Sequence, residues 1–256
     1  MFRSTFALHL LNLFLASLWL SVCHGKGRSL PSNFPVCKRT DPNINQCLVD
    51  ATEKVKPFLA EGVPSLKIPP FEPFQIPKIE LAQGTRSLNF KAVLTNVLAY
   101  GLSNYKFTKF DYDIPGFQFF CEATIPGLNL EGDYTVTGRV LIAPIEGKGR
   151  FTAKIDSCEA FVYQKVKLLK RNGLDYLTPD FTNSTINVSG PRVKLDGLFG
   201  GNAQLNDVTN KAINDNVDEL FAELKPVVEQ TLTSILEDIL FKSLFVNIPY
   251  DNLYPK

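Results

Sequence analysis

The sequence predicts an α+β chain in which a run of long antiparallel strands precedes one long amphipathic helix that the sheet embraces. Three observations predict it. Between Leu88 and Ile155, apolar and polar residues alternate in successive sets separated by short turns. From Leu205 to Lys242 the apolar spacing becomes helical and stays so. Across 256 residues, 45% of the chain is hydrophobic, including 20 Phe and 8 Tyr, which is enough for one sizeable core.

The amino terminus comes first. Arg3 precedes an apolar run from Phe6 to Val22, and Cys23 and Gly25 bracket His24 in a small-residue cleavage pattern. That order describes a secretory leader over residues 1–25, leaving 26–256 as one domain. The run is short for a membrane span and His9 and Asn12 interrupt it. Cleavage removes both histidines, the one Trp and the one Met. It also removes Arg3, leaving 26 basic against 26 acidic residues. A balanced chain offers no electrostatic footprint for nucleic acid or an anionic surface, and stable membrane insertion is not expected.

Four cysteines then remain: Cys37, Cys47, Cys121 and Cys158. An exported chain with an even number suggests disulfides; four allow three pairings, and the local one, Cys37–Cys47 with Cys121–Cys158, is preferred over free thiols. A zinc site is a poor reading, because no CxxC and no histidine are present in the mature chain to complete one, so no metal or other cofactor is expected.

Residues 26–40 form a polar arm. Asp41-Pro42 looks like a helix start, and Ile44, Cys47, Leu48, Ala51, Val55, Phe58 and Leu59 mark one helical face before Gly62. Prolines 64, 69, 70, 73 and 77 confine the next segment to an edge or a covering role. Alternating sets follow: Leu88, Phe90, Ala92; Tyr105 and Phe107; Phe110, Tyr112, Ile114; Phe117, Phe119, Cys121, Ala123, Ile125; Tyr134, Val136, Val140, Ile142. Gly147 and Gly149 mark a hairpin turn before Phe151, Ala153 and Ile155. In 181–195 two sequons, at Asn183 and Asn187, share one strand face with Thr185 and Ser189, while Ile186 and Val188 take the other; both asparagines are expected to be exposed and glycosylated. The final helix is about 55 Å long at 1.5 Å per residue, and Pro226 is expected to kink or divide it.

Landmarks along the whole mature chain resemble the insect takeout/juvenile-hormone-binding family. They are the Cys37/Cys47 spacing with its helix and Gly62-Val63-Pro64; the run from Pro126 through Leu128, Leu130, Gly132, Tyr134 and Gly138; Asn210, Asn214 and Asn216 before Leu224-Lys225-Pro226; and Pro249-Tyr250-Asp251-Asn252-Leu253-Tyr254-Pro255. The resemblance implies a long helix wrapped by a highly curved antiparallel sheet of the tubular lipid-binding type, with an apolar tunnel between them. It also implies a carrier of juvenile hormone or lipid-like molecules, with ties to feeding, daily rhythm or chemosensation. The hormone-binding branch places its second disulfide between the segment before the long helix and that helix. Here the second pair sits at Cys121 and Cys158, nearer to takeout.

Catalysis has little to stand on. Without histidine no Ser-His or Cys-His system forms, and no G-x-S-x-G occurs. Asp111 and Asp113 share a strand face but read as a solvated pair. The expected function is therefore a secreted, non-enzymatic carrier of a terpenoid or fatty-acid-like molecule, delivered to a receptor or partner carrier. The alternatives are a juvenile hormone carrier proper and an extracellular interaction protein. The expected lining is Phe117, Phe119, Val136 and Phe161 from the sheet with Val217, Leu220, Leu224 and Val228 from the helix. Tyr134, backed by Tyr105, Tyr112 and Tyr163, is expected to orient the ligand through its hydroxyl.

Overall fold

The computed structural model describes residues 28–84, 88–140 and 143–256. The expected leader at 1–25 and Ile142 lie outside the described residues, as do the side chains of Leu88 and Leu240. Helix α1 (Ile44–Glu61) leads into strands β1 (Phe74–Gly84), β2 (Leu88–Tyr100), β3 (Lys106–Asp113), β4 (Gln118–Val140), β5 (Ala143–Arg171), β6 (Leu174–Ser189) and β7 (Arg192–Leu195). Helices α2 (Ala203–Asp215) and α3 (Val217–Glu237), a π-helical turn over Asp238–Phe245 and the short α4 (Tyr250–Leu253) complete the chain.

The strands form one antiparallel sheet in the order β1-β2-β4-β5-β6, with β3 added to β4 and β7 to β5. Its spine is the hairpin of β4, 23 residues, and β5, 29 residues, in unbroken register from Gln118↔Lys165 to Val140↔Ala143. Helix α3 touches both β6 and β1, the two edges of that path, and so closes the curled sheet into a tube. The proline-rich segment ends in β1, an edge strand as expected.

Several elements differ from the sequence reading. Helix α1 begins two residues later than expected: Asn43 precedes it, while the Asp41 carboxylate accepts from the Asn43 N–H at 2.8 Å. The long helix divides at Asn216 and not at Pro226. Asn216 has φ −124° and ψ 21°, and its side chain donates to the Ala212 carbonyl at 2.9 Å, ending α2. Pro226 lies inside α3, where its missing N–H leaves one carbonyl unbonded without stopping the helix. Gly147 and Gly149 are not a turn, because both lie within β5. They are small because another segment crosses there: a Cβ on Gly149 would stand 2.1 Å from the Asp196 carbonyl oxygen, and one on Gly147 would stand 2.8 Å from the Leu198 Cα.

The interior holds two separate cores. One joins α1, the carboxyl-terminal turns and the Phe119 end of the sheet, with Leu48, Tyr112, Phe119, Val166, Leu177, Phe245 and Ile248. The other joins α2 to the far end, with Phe90, Val97, Tyr134, Val136, Phe151, Leu198 and Leu220. Between them the buried face of β4 changes parity, from odd residues (Phe119) to even ones (Gly132, Tyr134, Val136). The change falls at Pro126-Gly127, where Gly127 takes φ 78°, a left-handed conformation open to glycine without strain.

Candidate functional site

Each end of the tube is plugged by polar and aromatic contacts. At the first core, Cys37–Cys47 staples the arm to α1. Within that loop Arg39 donates to the Tyr254 carbonyl at 2.9 Å, pairs with Asp251 at 2.5 Å and lies 4.7 Å over the Tyr250 ring. The Tyr250 and Tyr112 hydroxyls share a hydrogen bond of 2.6 Å, and Tyr112 stacks on Phe119 at 4.2 Å. At the second core, Asp196–Leu198 crosses the inward face over Gly147 and Gly149, with Leu198 fully buried. Here Tyr134 donates its hydroxyl to the Asp196 carbonyl at 2.9 Å.

Helix α2 is fastened by amides. Asn214 both accepts from the Val193 N–H and donates to the Val193 carbonyl, at 2.9 and 2.7 Å. Asn210 treats Leu195 the same way at 2.8 Å each, and Asn206 accepts from the Leu198 N–H at 3.0 Å. Spacing of four puts the three asparagines on one helix face, where their amides serve as a neighbouring strand for β7. Helix α3 is fastened to β6 by side chains: the Glu229 carboxylate accepts from the Ile186 N–H at 3.0 Å, Ser184 donates to the Glu229 carbonyl at 3.1 Å and bonds Thr233 at 2.6 Å, and Lys225 donates to Asn187 at 3.2 Å.

Between the plugs runs an apolar stretch that belongs to neither core. Cross-strand pairing puts Cys121, Ala123 and Ile125 of β4 opposite Val162, Ala160 and Cys158 of β5, and these opposite Ser184, Ile186 and Val188 of β6. Opposed residues share a face, and burial of Phe119, Ser184 and Ile186 identifies it as the inward one. Four of these inward residues carry small side chains, two Cys and two Ala. Leu220 and Leu224 of α3 pack on the second core and Ile239 on the first. By helical spacing Phe221, Val228, Leu232 and Ile235 face the same interior, yet all four stay only half-buried. Two cavities flank the helical segment. One of about 180 Å³ lies between α2 and the β4–β5 hairpin, lined by Val140, Pro144, Ile145, Val208 and Ile213. The other, of about 250 Å³, lies between the start of β1 and the end of α3, lined by Pro69, Phe74, Ile76, Ile235 and Ile239.

The expected lining residues therefore divide. Phe117 and Phe119 pack into the first core, and Tyr134, Val136 and Leu220 into the second. Val217 opens α3, while Leu224 and Val228 border the apolar stretch. Phe161 is a correction: paired with Glu122 and Thr185, it faces outward, because the inward residues of this part of β5 are even-numbered. The tyrosine expectation also fails in its particulars. Tyr134 is occupied by Asp196, Tyr105 donates to the Thr52 carbonyl at 2.8 Å, and Tyr163 donates to Gln118 at 2.8 Å. Burial pushes the Tyr134 phenol up to about 12 and holds those of Tyr105 and Tyr112 higher still, so these groups stay neutral and structural. Asp111 pairs with Lys109 and accepts from Asn45, and Asp113 accepts from the Gly116 N–H, so their carboxylates serve local structure.

The expected Cys121–Cys158 bridge is corrected too: both thiols are free. Cys121 pairs with Val162 and Cys158 with Ile125, four residues along the same ladder. That offset is about 13 Å at strand rise, far beyond disulfide reach. What the sequence reading missed is the row of small residues, Cys121, Ala123, Cys158 and Ala160. Their alternation within apolar strands was the available signal. Asn183, Thr185, Asn187 and Ser189 are exposed, as the sequon face required. Among the described residues no helix is long and apolar enough to cross a membrane, and no group of three or more metal-ligating side chains gathers.

Comparison with known proteins agrees with this architecture. Residues 13–255 match the family model described as haemolymph juvenile hormone binding protein. The circadian clock-controlled protein daywake of Drosophila melanogaster is 25% identical over 249 residues, spanning 93% of each chain. Its counterpart from Drosophila yakuba is 25% identical over 247 residues and 92% of each chain. In structure, Takeout 1 of Epiphyas postvittana superposes with a TM-score of 0.74 at 20% identity, over 87% of this chain and all of that one, which shows a shared fold. With the helix-closed tube, the plugged ends and the match along nearly its whole length, this chain belongs to the takeout/haemolymph juvenile hormone binding protein family.

Proposed function

We propose that this protein is an extracellular carrier that holds one small hydrophobic molecule in the stretch between α3 and the small-residue floor of the sheet. The observation that carries this reading is the pair of separate cores with an apolar stretch between them that belongs to neither. A chain selected only to fold would join the two cores with large side chains, since unfilled apolar contacts forfeit dispersion and burial. Here Cys121, Ala123, Cys158 and Ala160 interrupt the larger residues of the floor, and Phe221, Val228, Leu232 and Ile235 of α3 remain half-buried. Filling that space with a ligand is worth about 25 cal/mol per Å² of apolar area removed from water. Cavities of about 180 and 250 Å³ are each below the ~300 Å³ at which ligand pockets begin. Entry therefore involves displacement of α3, which is held to β6 through side chains and not through a continuous backbone ladder.

Membership in a binding-protein family and the lack of a histidine-based nucleophile system in the mature chain support a passive role without catalysis. The leader at 1–25 and glycans at Asn183 and Asn187 fit export, and the likeness to daywake makes a link to daily physiology the first to test. Secretion from insect cells followed by native mass spectrometry tests the carrier. The expected spectrum shows one apolar molecule per chain, released by organic extraction, and a protein starting at Lys26 that loses mass with a glycosidase. Protein that is consistently empty and takes up no apolar probe would overturn the carrier reading. It would favour an interaction protein read from its surface.

A further inference from the structure

One polar pair on the inward face has no partner. Gln164 of β5 is 3% exposed and its Nε2 forms no hydrogen bond; Thr182 of β6, its direct cross-strand partner, has a buried Oγ1 that forms none either. Opposed residues in an antiparallel pair hold their Cβ atoms about 5 Å apart, so the two groups address one place. One row further along, the same face shows how such groups are normally satisfied. Ser184 donates to the Glu229 carbonyl at 3.1 Å and shares a hydrogen with Thr233 at 2.6 Å, both on α3. The Gln164–Thr182 row lies beside Phe119 and Val166, at the end of the apolar stretch nearest the first core. A buried amide and hydroxyl left without partners are costly, and such a pair persists where something else supplies the acceptor.

We propose that Gln164 and Thr182 form the polar anchor of the ligand site, donating through Nε2 and Oγ1 to a carbonyl oxygen at the end of an otherwise apolar chain. The inference rests on the carrier reading and narrows it to a class: neutral esters, ketones or amides. A carboxylate does not fit. The neighbouring basic residues Lys165 and Lys167 are exposed on the opposite face, and Lys225 of α3 pairs with Glu229. An anion here would be buried without a counter-charge. The ester class also explains the choice of amide over a cation: Gln164 binds a neutral oxygen without itself needing a charge partner in the empty protein.

The test uses the neutral fluorophore N-phenyl-1-naphthylamine as a displaceable probe, with dodecane, methyl dodecanoate and dodecanoate as competitors. In the wild type, methyl dodecanoate should displace the probe at about tenfold lower concentration than dodecane, the scale of one or two buried hydrogen bonds, and dodecanoate should be weaker than the ester. Gln164→Leu and Thr182→Val should each shrink the ester advantage toward unity, read within each variant as the ratio of the ester and dodecane concentrations that displace half of the probe. The thermal midpoint of ligand-free Gln164→Leu should hold or rise, because an unpaired buried amide is replaced by a methyl fork. Equal displacement by ester and hydrocarbon in the wild type overturns the anchor. So does a Gln164→Leu variant that melts lower yet keeps the full ester preference. Tighter binding of dodecanoate than of ester overturns the neutral class. Failure of the wild type to take up the probe or any competitor defeats the carrier reading itself, and the anchor with it.

Discussion

Cys121 and Cys158 show what one residue contributes on the inner wall. Each is a small side chain facing the interior, and each thiol is shielded. Burial pushes Cys121 up to about 12; burial and then the charge of Glu159 raise Cys158. The thiolate is the reactive form, so native protein should react slowly with Ellman's reagent at about pH 8, while leader-free protein in urea should release two thiols per chain. A thiol kept neutral by the fold but free to ionise when unfolded stabilises fully below the ordinary thiol range. That contribution is lost as pH rises through the folded value. The urea midpoint should therefore fall between about pH 8 and about pH 10.5, and fall less in a Cys121→Ala/Cys158→Ala variant. A midpoint flat across that range would show that the thiols are not buried as described. Gly149 is a stricter case: with Asp196 crossing where its Cβ would be, Gly149→Ala should cost at least ~3 kcal/mol or abolish folding. Gly200→Ala, with open space but φ 65°, should cost about 1 kcal/mol, both read from urea titrations.

Among the elements, the two halves of the carboxyl-terminal helical segment behave differently. Helix α2 is held by paired amides to the backbone of β7, and α3 by an apolar stripe and by side-chain hydrogen bonds that join Glu229, Thr233 and Lys225 to β6. Asn214→Ala leaves the Val193 N–H and carbonyl without partners and should cost about 1–3 kcal/mol by urea titration. Pro226→Ala adds a donor within α3 at an exposed position and should raise the thermal midpoint by the equivalent of about 1–3 kcal/mol. Its absence of effect would mean that α3 is already distorted there for another reason. This contrast was half-legible in the sequence. The apolar spacing from Leu205 to Lys242 gave helix throughout, and Pro226 was the obvious interruption. The actual break depends on the Asn216 side chain bonding back to Ala212, a local competition for a carbonyl that spacing does not reveal. Likewise Gly147-Lys148-Gly149 has the composition of a turn, and only the crossing of Asp196–Leu198 explains it.

For the molecule as a whole, the antiparallel order, the edge role of the proline segment and the exposed sequon face followed from alternation and turn chemistry, which are local. The inner wall did not follow, because a residue's face depends on its partners. The parity change at Pro126-Gly127 turned Phe161 outward and left Tyr134 in a plug, while both remained plausible wall residues from their own strands. Two cores joined by a middle that the half-buried side of α3 covers predict a pattern in hydrogen exchange. Amides of β2, β4 and β5 near Tyr134 and of α1 should be slow, those of α3 from Phe221 to Ile235 faster, and a bound apolar ligand should slow α3 most. Uniform protection along α3 in ligand-free protein would contradict it. The asparagine ladder carries one more consequence, for self-association. A strand with an open edge invites the edge of another copy, and β7 would present the Val193 and Leu195 groups to any neighbour. With Asn210 and Asn214 already bonded to them, that edge is closed from within the chain, and the protein can be stored at high concentration without pairing through β7.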